Sequence, residues 1–148
     1  MKKQTKKKYV ARSGAPFKEK DAQIIGEEVE RIKGSKGYIS AKEVLDVASD
    51  KNSKLHKYFQ WDNSKAAEEF RLQQARMIVN HIVEITVINN VKYPQRSFVS
   101  VNHKQQGKVY VTLACAKANS DYKKQLLSQM ITTLENLTTT MRLFREQD

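Results

Sequence analysis

The 148-residue sequence predicts an α+β fold dominated by helices, and three observations carry that reading. Apolar residues recur every three to four positions through most of the chain before Ile85, the period falls to two between Ile85 and Leu113, and a stripe at heptad spacing runs from Leu127 to Phe144. A chain of this length closes one core of ordinary size, so one globular domain over residues 18–148 is expected behind a basic arm at residues 1–17.

The arm comes first. MKKQTKKKYVARSGAP has no helical or alternating apolar pattern, its like charges repel, and Ser13-Gly14-Ala15-Pro16 reads as a hinge, so the segment is expected to be flexible when free. Ala22, Ile25, Val29 and Ile32 then predict a helix from about Lys18 to Lys33, stopped by Gly34. Ser40 and Glu43 form a capping box, with Ile39 and Val44 placed for a hydrophobic staple, and predict a second helix from Ala41 to Ser49. Asp50 to Ser53 is turn chemistry, and Leu55, Tyr58 and Phe59 predict a short third helix. Asp62, Asn63 and Ser64 are alternative N-caps for a long central helix from Lys65 to Val83, with Ala67, Leu72, Ala75, Ile78, Val79 and Ile82 on its buried face and Phe70 and Met77 widening it.

Beyond that helix, branched and aromatic residues at Ile85, Val87, Phe98, Val99, Val101, Val109, Val111 and Leu113 predict two or three antiparallel strands. Asn89-Asn90 and His103 to Gly107 are the turns between them. A last helix is expected from Ser120 to Arg145, with Leu127, Met130, Leu134, Leu137, Met141 and Phe144 spaced 3-4-3-4-3. It is long enough to pair with a second copy as a homodimer, although a strand face of the same chain could bury the same stripe. Its threonines are poor helix formers, so packing must hold it.

Charge narrows the function. The total of +11 is uneven: residues 1–20 hold eight Lys/Arg against Glu19, residues 84–118 hold five against Glu84, and the segments 21–83 and 119–148 each balance to zero. An arm and one basic strand zone are how many nucleic-acid binders concentrate their phosphate contacts. Lys2, Lys3, Lys6, Lys7, Lys8 and Arg12 are therefore read as phosphate contacts, with Tyr9 free to stack on a base or sugar. Lys92, Arg96, Lys104 and Lys108 extend the set from the strand zone, and Arg76, opposite the apolar side of the central helix, joins them.

One arrangement of the N-terminal helices is a winged helix-turn-helix, in which Ser53, Lys54, His56 and Lys57 face DNA and the hairpin carrying Lys104 and Lys108 touches the backbone. A plain helical bundle is the competing arrangement, and the third helix offers no Arg for bidentate guanine contacts. Glu68 and Arg71 are expected to pair as a structural clasp, extending to the Trp61-Asp62 turn.

The residues Ser53, Leu55, His56, Phe59, Trp61, Asp62, Ala66, Ala67, Glu68, Phe70, Arg71, Ala75 and Arg76 follow a pattern of Ser-x-Leu-His, Phe-x-Trp-Asp and Ala-Ala-Glu-x-Phe-Arg-x-x-x-Ala-Arg. In this the stretch from Leu45 to Ile82 resembles a family of small phage and prophage proteins. The resemblance covers about a quarter of the chain and implies a viral origin and a shared fold. The family has no established activity, and a small basic phage protein suits genome handling, transcription control or host takeover.

Other classes are disfavoured. His56, His81 and His103 lie far apart with no metal-ligand spacing, no phosphate-binding or nucleophile-elbow motif is present, and Cys115 reads as a small hydrophobe on a strand. Neither an enzyme nor a metal or other cofactor is expected. The apolar runs are too short to span a membrane, no apolar run follows the first lysines to make a secretory signal, and a lone cysteine suits a reducing compartment. The expected setting is the bacterial host cytoplasm or the virion. The leading expectation is a phage-type protein making mainly non-specific contacts, to DNA ahead of RNA. The alternative is a protein-interaction factor, a virion component or an inhibitor of a host protein, whose acidic partner the arm engages.

Overall fold

A computed structural model describes residues 6–61 and 67–146, and these fall into two units, 1–113 and 114–148. The fold is α+β and predominantly helical, as the periodicities predict.

In the first unit the chain starts as a strand. β1 (Tyr9–Ala11) is followed by a 3-10 turn at Glu19–Asp21 and by α1 (Ala22–Lys33). Ala22, Ile25, Gly26 and Val29 form the buried face of α1, and the helix ends where Gly34 takes φ +55°. α2 (Ala41–Ala48) opens on the expected capping box: Ser40 Oγ accepts from the Glu43 N–H at 3.2 Å, and Glu43 Oε2 accepts from the Ser40 N–H at 2.7 Å. Ile39 and Val44 are fully buried beside it, completing the staple.

The third helix is reduced to one 3-10 turn, His56–Tyr58. Its length is the reason: a five-residue apolar segment cannot repay helix nucleation, and side chains hold the turn instead. The His56 ring stacks on Trp61 at 4.7 Å and bonds the Ala48 carbonyl at 2.8 Å, while Trp61 Nε1 donates to the His56 carbonyl at 2.9 Å. A single turn cannot enter a groove as a recognition helix, so the winged helix-turn-helix arrangement is not formed.

α3 (Ala67–Asn80) packs against α2 and buries Ala75, Ile78 and Val79. Phe70 and Met77 are not part of that face; they are 51% and 44% exposed. At about 100° per residue both fall on the side opposite Ala75 and Val79. The expected caps Asp62, Asn63 and Ser64 lie outside the described residues. Arg71 does clasp the turn before α3, donating to the Gln60 carbonyl at 2.7 Å with its guanidinium 5.1 Å from the centre of the Trp61 ring, whereas Glu68 meets Lys42.

Four strands follow: β2 (Ile82–Ile88), β3 (Val91–Arg96), β4 (Phe98–His103) and β5 (Gly107–Thr112). β1, β2 and β3 form one antiparallel sheet in that order, and β4 and β5 form a second, two-stranded one. Asn89 and Asn90 take φ +50° and +64°, the left-handed pair that a two-residue hairpin turn requires. Pro94 is tolerated because β3 is an edge strand. Reciprocal backbone bonds between Ile39 and Tyr110, at 2.9 and 2.7 Å, tie β5 to the entry of α2, and Phe98, Ile78, Leu55, Ile25 and Val44 share the core.

The chain then passes into α4 (Leu113–Ala118), so Leu113 and Cys115 are helical and not on a strand; the alanines at 114, 116 and 118 favour the helix. The second unit is built around α5 (Ser120–Arg145), capped by Asn119 Oδ1 accepting from the Tyr122 N–H at 3.0 Å. Its heptad stripe is uncovered.

Candidate nucleic-acid interface

The basic residues at the N-terminus are sorted by strand alternation. Tyr9 pairs across β2 with Glu84, Val10 with Val83 and Ala11 with Ile82, and successive side chains point to opposite faces of the sheet. Lys7, Tyr9 and Ala11 share the face that meets α1. The Tyr9 ring lies on Gly26, where a Cβ would collide with it, and Tyr9 is only 5% exposed. It is therefore not free to stack on a base. Burial first, and then the Glu30, Glu84 and Glu27 carboxylates, hold its phenol well above the usual tyrosine range. Lys7 lies 3.4 Å from Glu30 and 3.8 Å from Glu84, and Lys6 lies 2.9 Å from Glu27, so two cations of the expected arm are met by carboxylates of the protein itself.

The remaining edge of β1 is covered by side chains. Gln23 Oε1 accepts from the Tyr9 N–H and Gln23 Nε2 donates to the Lys7 carbonyl, both at 2.9 Å, in the manner of a neighbouring strand. Glu19 Oε2 accepts from the Ala11 N–H at 2.9 Å. The chain from Lys8 to Arg12 is thus strand-like and anchored, not a flexible tether. Lys2 and Lys3 lie outside the described residues.

The opposite face of the same sheet carries the other parity. Lys8 stands across from Ile85, Val10 from Val83, and Arg12 from His81, while on the far side of β2 Lys92 stands across from Val87 and Arg96 from Val83. Lys8, Arg12, Lys92 and Arg96 therefore share one face, on the two outer strands, around a column of Val83, Ile85 and Val87. By strand geometry the two cationic rows are about 10 Å apart, and each spans about 13 Å. Among the described residues none of the four has a carboxylate within ion-pair distance.

Arg12 and Arg96 are close enough to oppose each other's charge. Arg96 donates to Asn80 Oδ1 at 2.5 Å. Although the residue as a whole is exposed, its crowded head group loses hydration, and this loss, ahead of the Arg12 charge, lowers its pKa from the ordinary guanidinium value. Tyr110 adjoins the same group: burial raises its phenol pKa, opposed by the Asn80 hydrogen bond and by Arg76 and Arg96.

The other expected contacts lie elsewhere in this unit. Arg76, Lys42 and Lys108 line a cleft of about 490 Å³ with Tyr38, Gln106 and Tyr110. Arg76 is met by Glu69 at 3.2 Å and Lys42 by Asp46 at 3.1 Å, while Lys104 lies exposed in the turn between β4 and β5. Lys54 and Lys57 border a second depression of about 420 Å³ with Asp21 and Tyr58. Lys57 sits 3.9 Å from Asp21 and 5.0 Å from the centre of the Tyr58 ring, and burial together with Asp21 pushes the Tyr58 phenol up to about 12. His56 faces inward, as described, and not toward a groove.

Gly26, Gln23 and Glu19, which set the sheet face by anchoring β1, were not legible as functional positions. The alternation of Lys8, Val10 and Arg12 against Lys7, Tyr9 and Ala11 was the signal that could have found them. Among the described residues no three His, Cys, Asp or Glu side chains converge as a metal site, and no helix is long and apolar enough to cross a membrane. No protein-family model, curated protein or solved structure matches the chain.

Proposed function

We propose that this protein binds nucleic acid, DNA ahead of RNA, through phosphate contacts made by the cationic residues of the β1-β2-β3 sheet. The observation that carries the reading is that Lys8, Arg12, Lys92 and Arg96 share one face of the sheet and that, among the described residues, none of the four has a carboxylate within ion-pair distance. Phosphates supply the missing anions, and guanidiniums such as Arg12 and Arg96 donate to their oxygens in charge-assisted hydrogen bonds. Lys8 and Lys92 extend the site along each outer strand, and Lys2 and Lys3 are kept as further phosphate contacts. Lys108 and Lys104 on the second sheet serve as further backbone contacts.

The contacts carry little sequence information. Apolar Val83, Ile85 and Val87 between the cationic rows offer no donors or acceptors to base edges, so affinity rests on charge. In keeping with the phage-type resemblance of residues 45–82, the protein would act in the bacterial host cytoplasm or with the virion.

The test is binding of labelled duplex DNA, single strands and RNA to the full chain as salt is varied. Four phosphates neutralised on duplex give a log-affinity slope against log salt of about −3.6, steeper if Lys2 and Lys3 join. Failure to bind duplex at low salt contradicts the reading. A second reading, a protein-interaction factor for a host or virion protein, is favoured by one feature: Val87, Ile88, Val91 and Tyr93 are each about half exposed around the β2-β3 turn. A salt-insensitive protein complex, lost on Val91→Asp, would support it instead.

A further inference from the structure

We infer that α5 is the self-association element of this protein, pairing along its length with α5 of a second copy in a two-stranded coiled coil. The helix runs 26 residues, about 39 Å. Leu127, Leu134 and Met141 occupy the a positions of three heptads and Met130, Leu137 and Phe144 the d positions, and all six are between 49% and 71% exposed. Ile131, at the adjoining e position, widens the seam and is also exposed.

Two observations point to a second copy as the occupant. The first lies in the flanks. Between Leu126 and Thr140 the e and g positions are Leu126, Ile131, Thr133, Thr138 and Thr140, with no charge among them, so two identical helices meet without the like-charge repulsion that charged flanks impose on self-pairing. The three threonine hydroxyls are already satisfied within the helix: Thr133 donates to the Gln129 carbonyl at 2.9 Å, Thr138 to that of Leu134 at 2.8 Å and Thr140 to that of Asn136 at 3.0 Å. Their hydrogen bonds survive desolvation, and the flanks can be buried without orphaning a polar group.

The second observation is area. Seven large side chains, each half exposed or more, hold on the order of 80 Å² of apolar surface apiece. Two copies would together bury roughly 1,100 Å², the size at which specific interfaces begin. A membrane surface is the poorer occupant, because its phosphates call for cations along the polar face, and α5 carries Lys123, Lys124, Arg142 and Arg145 only at its two ends. A two-fold pair also closes on itself, leaving no open seam for further copies.

Sedimentation equilibrium of the full chain over a dilution series reads the proposal directly. The expected mass is twice the 17.1 kDa of one chain at high concentration, falling toward one chain on dilution together with far-ultraviolet helicity. Leu134→Asp on the seam lowers the mass to that of one chain, whereas Thr139→Glu on the outer face leaves it doubled. Because Leu134→Asp can also fray α5, the outer-face variant and the unaltered chain keep the test decisive. A single-chain mass at every concentration overturns the proposal, even if the chain binds lipid vesicles. So does a doubled mass that survives Leu134→Asp, or one lost equally in Thr139→Glu.

Discussion

The two ends of the chain invert the expectations their compositions raise. The N-terminal residues, dense in lysine and nearly free of apolar pattern, form an anchored strand: Tyr9 is buried on Gly26, Gln23 bonds the backbone on one edge of the strand and β2 bonds it on the other. The C-terminal helix carries a six-residue apolar stripe at heptad spacing and leaves it exposed. Local apolar content therefore says where burial is available, not where one copy of the chain uses it. At one end a single aromatic and a glycine outweigh several like charges. At the other, six well-spaced apolar residues stand about half exposed or more.

The largest effect that can break this comparison is at the Tyr9 and Gly26 contact. Tyr9→Ala should cost about 3 kcal/mol in urea unfolding, the scale of a buried aromatic truncation, whereas a loose arm would cost nothing. Gly26→Ala, by driving a methyl into the ring, should cost about 1–3 kcal/mol. In the Tyr9→Ala background the same change should reverse sign and stabilise by up to about 1 kcal/mol, because alanine is the better helix former once the ring is gone. Additive costs in the double variant would show that the two residues do not meet.

A smaller effect sharpens the picture on the open edge of β1. Gln23→Ala removes one acceptor and one donor from the backbone of residues 7–9 and should cost about 1–2 kcal/mol. Native-state hydrogen exchange should show the loss locally, as faster exchange at the Tyr9 and Ala11 amides with the core strands β4 and β5 unchanged. Uniform acceleration across the first unit would mean that β1 is part of the global core and not a separately anchored strand.

What was legible in the sequence was local. The capping box at Ser40 and Glu43, the Asn89-Asn90 turn and the change of period near Ile85 each depend on neighbours a few residues apart, and each stands in the structure. What was not legible was long-range or too short. β1 pairs with residues more than 70 positions away, and its alternation is hidden because lysines stand on both faces, those on one side neutralised by Glu30 and Glu84. β3 reads Val-Lys-Tyr-Pro-Gln-Arg, which only an edge position permits. Phe70 and Met77 have core composition but the wrong helical angle. For the candidate site, the two charged zones were visible as separate segments; that Arg12 and Arg96 share one sheet face required the register of β2 between them.

The central claim is that the absence of a neighbouring carboxylate, and not the number of lysines, decides which N-terminal cations contact phosphate. The direct measurement is the salt dependence of duplex DNA binding for Arg12→Gln/Arg96→Gln compared with Lys6→Gln/Lys7→Gln. The account predicts that the first pair flattens the log-affinity slope by about 1.8, two phosphates' worth, while the second, already matched to Glu27, Glu30 and Glu84, leaves the slope nearly unchanged. Equal flattening by both pairs, or a larger loss from Lys6 and Lys7, would contradict it.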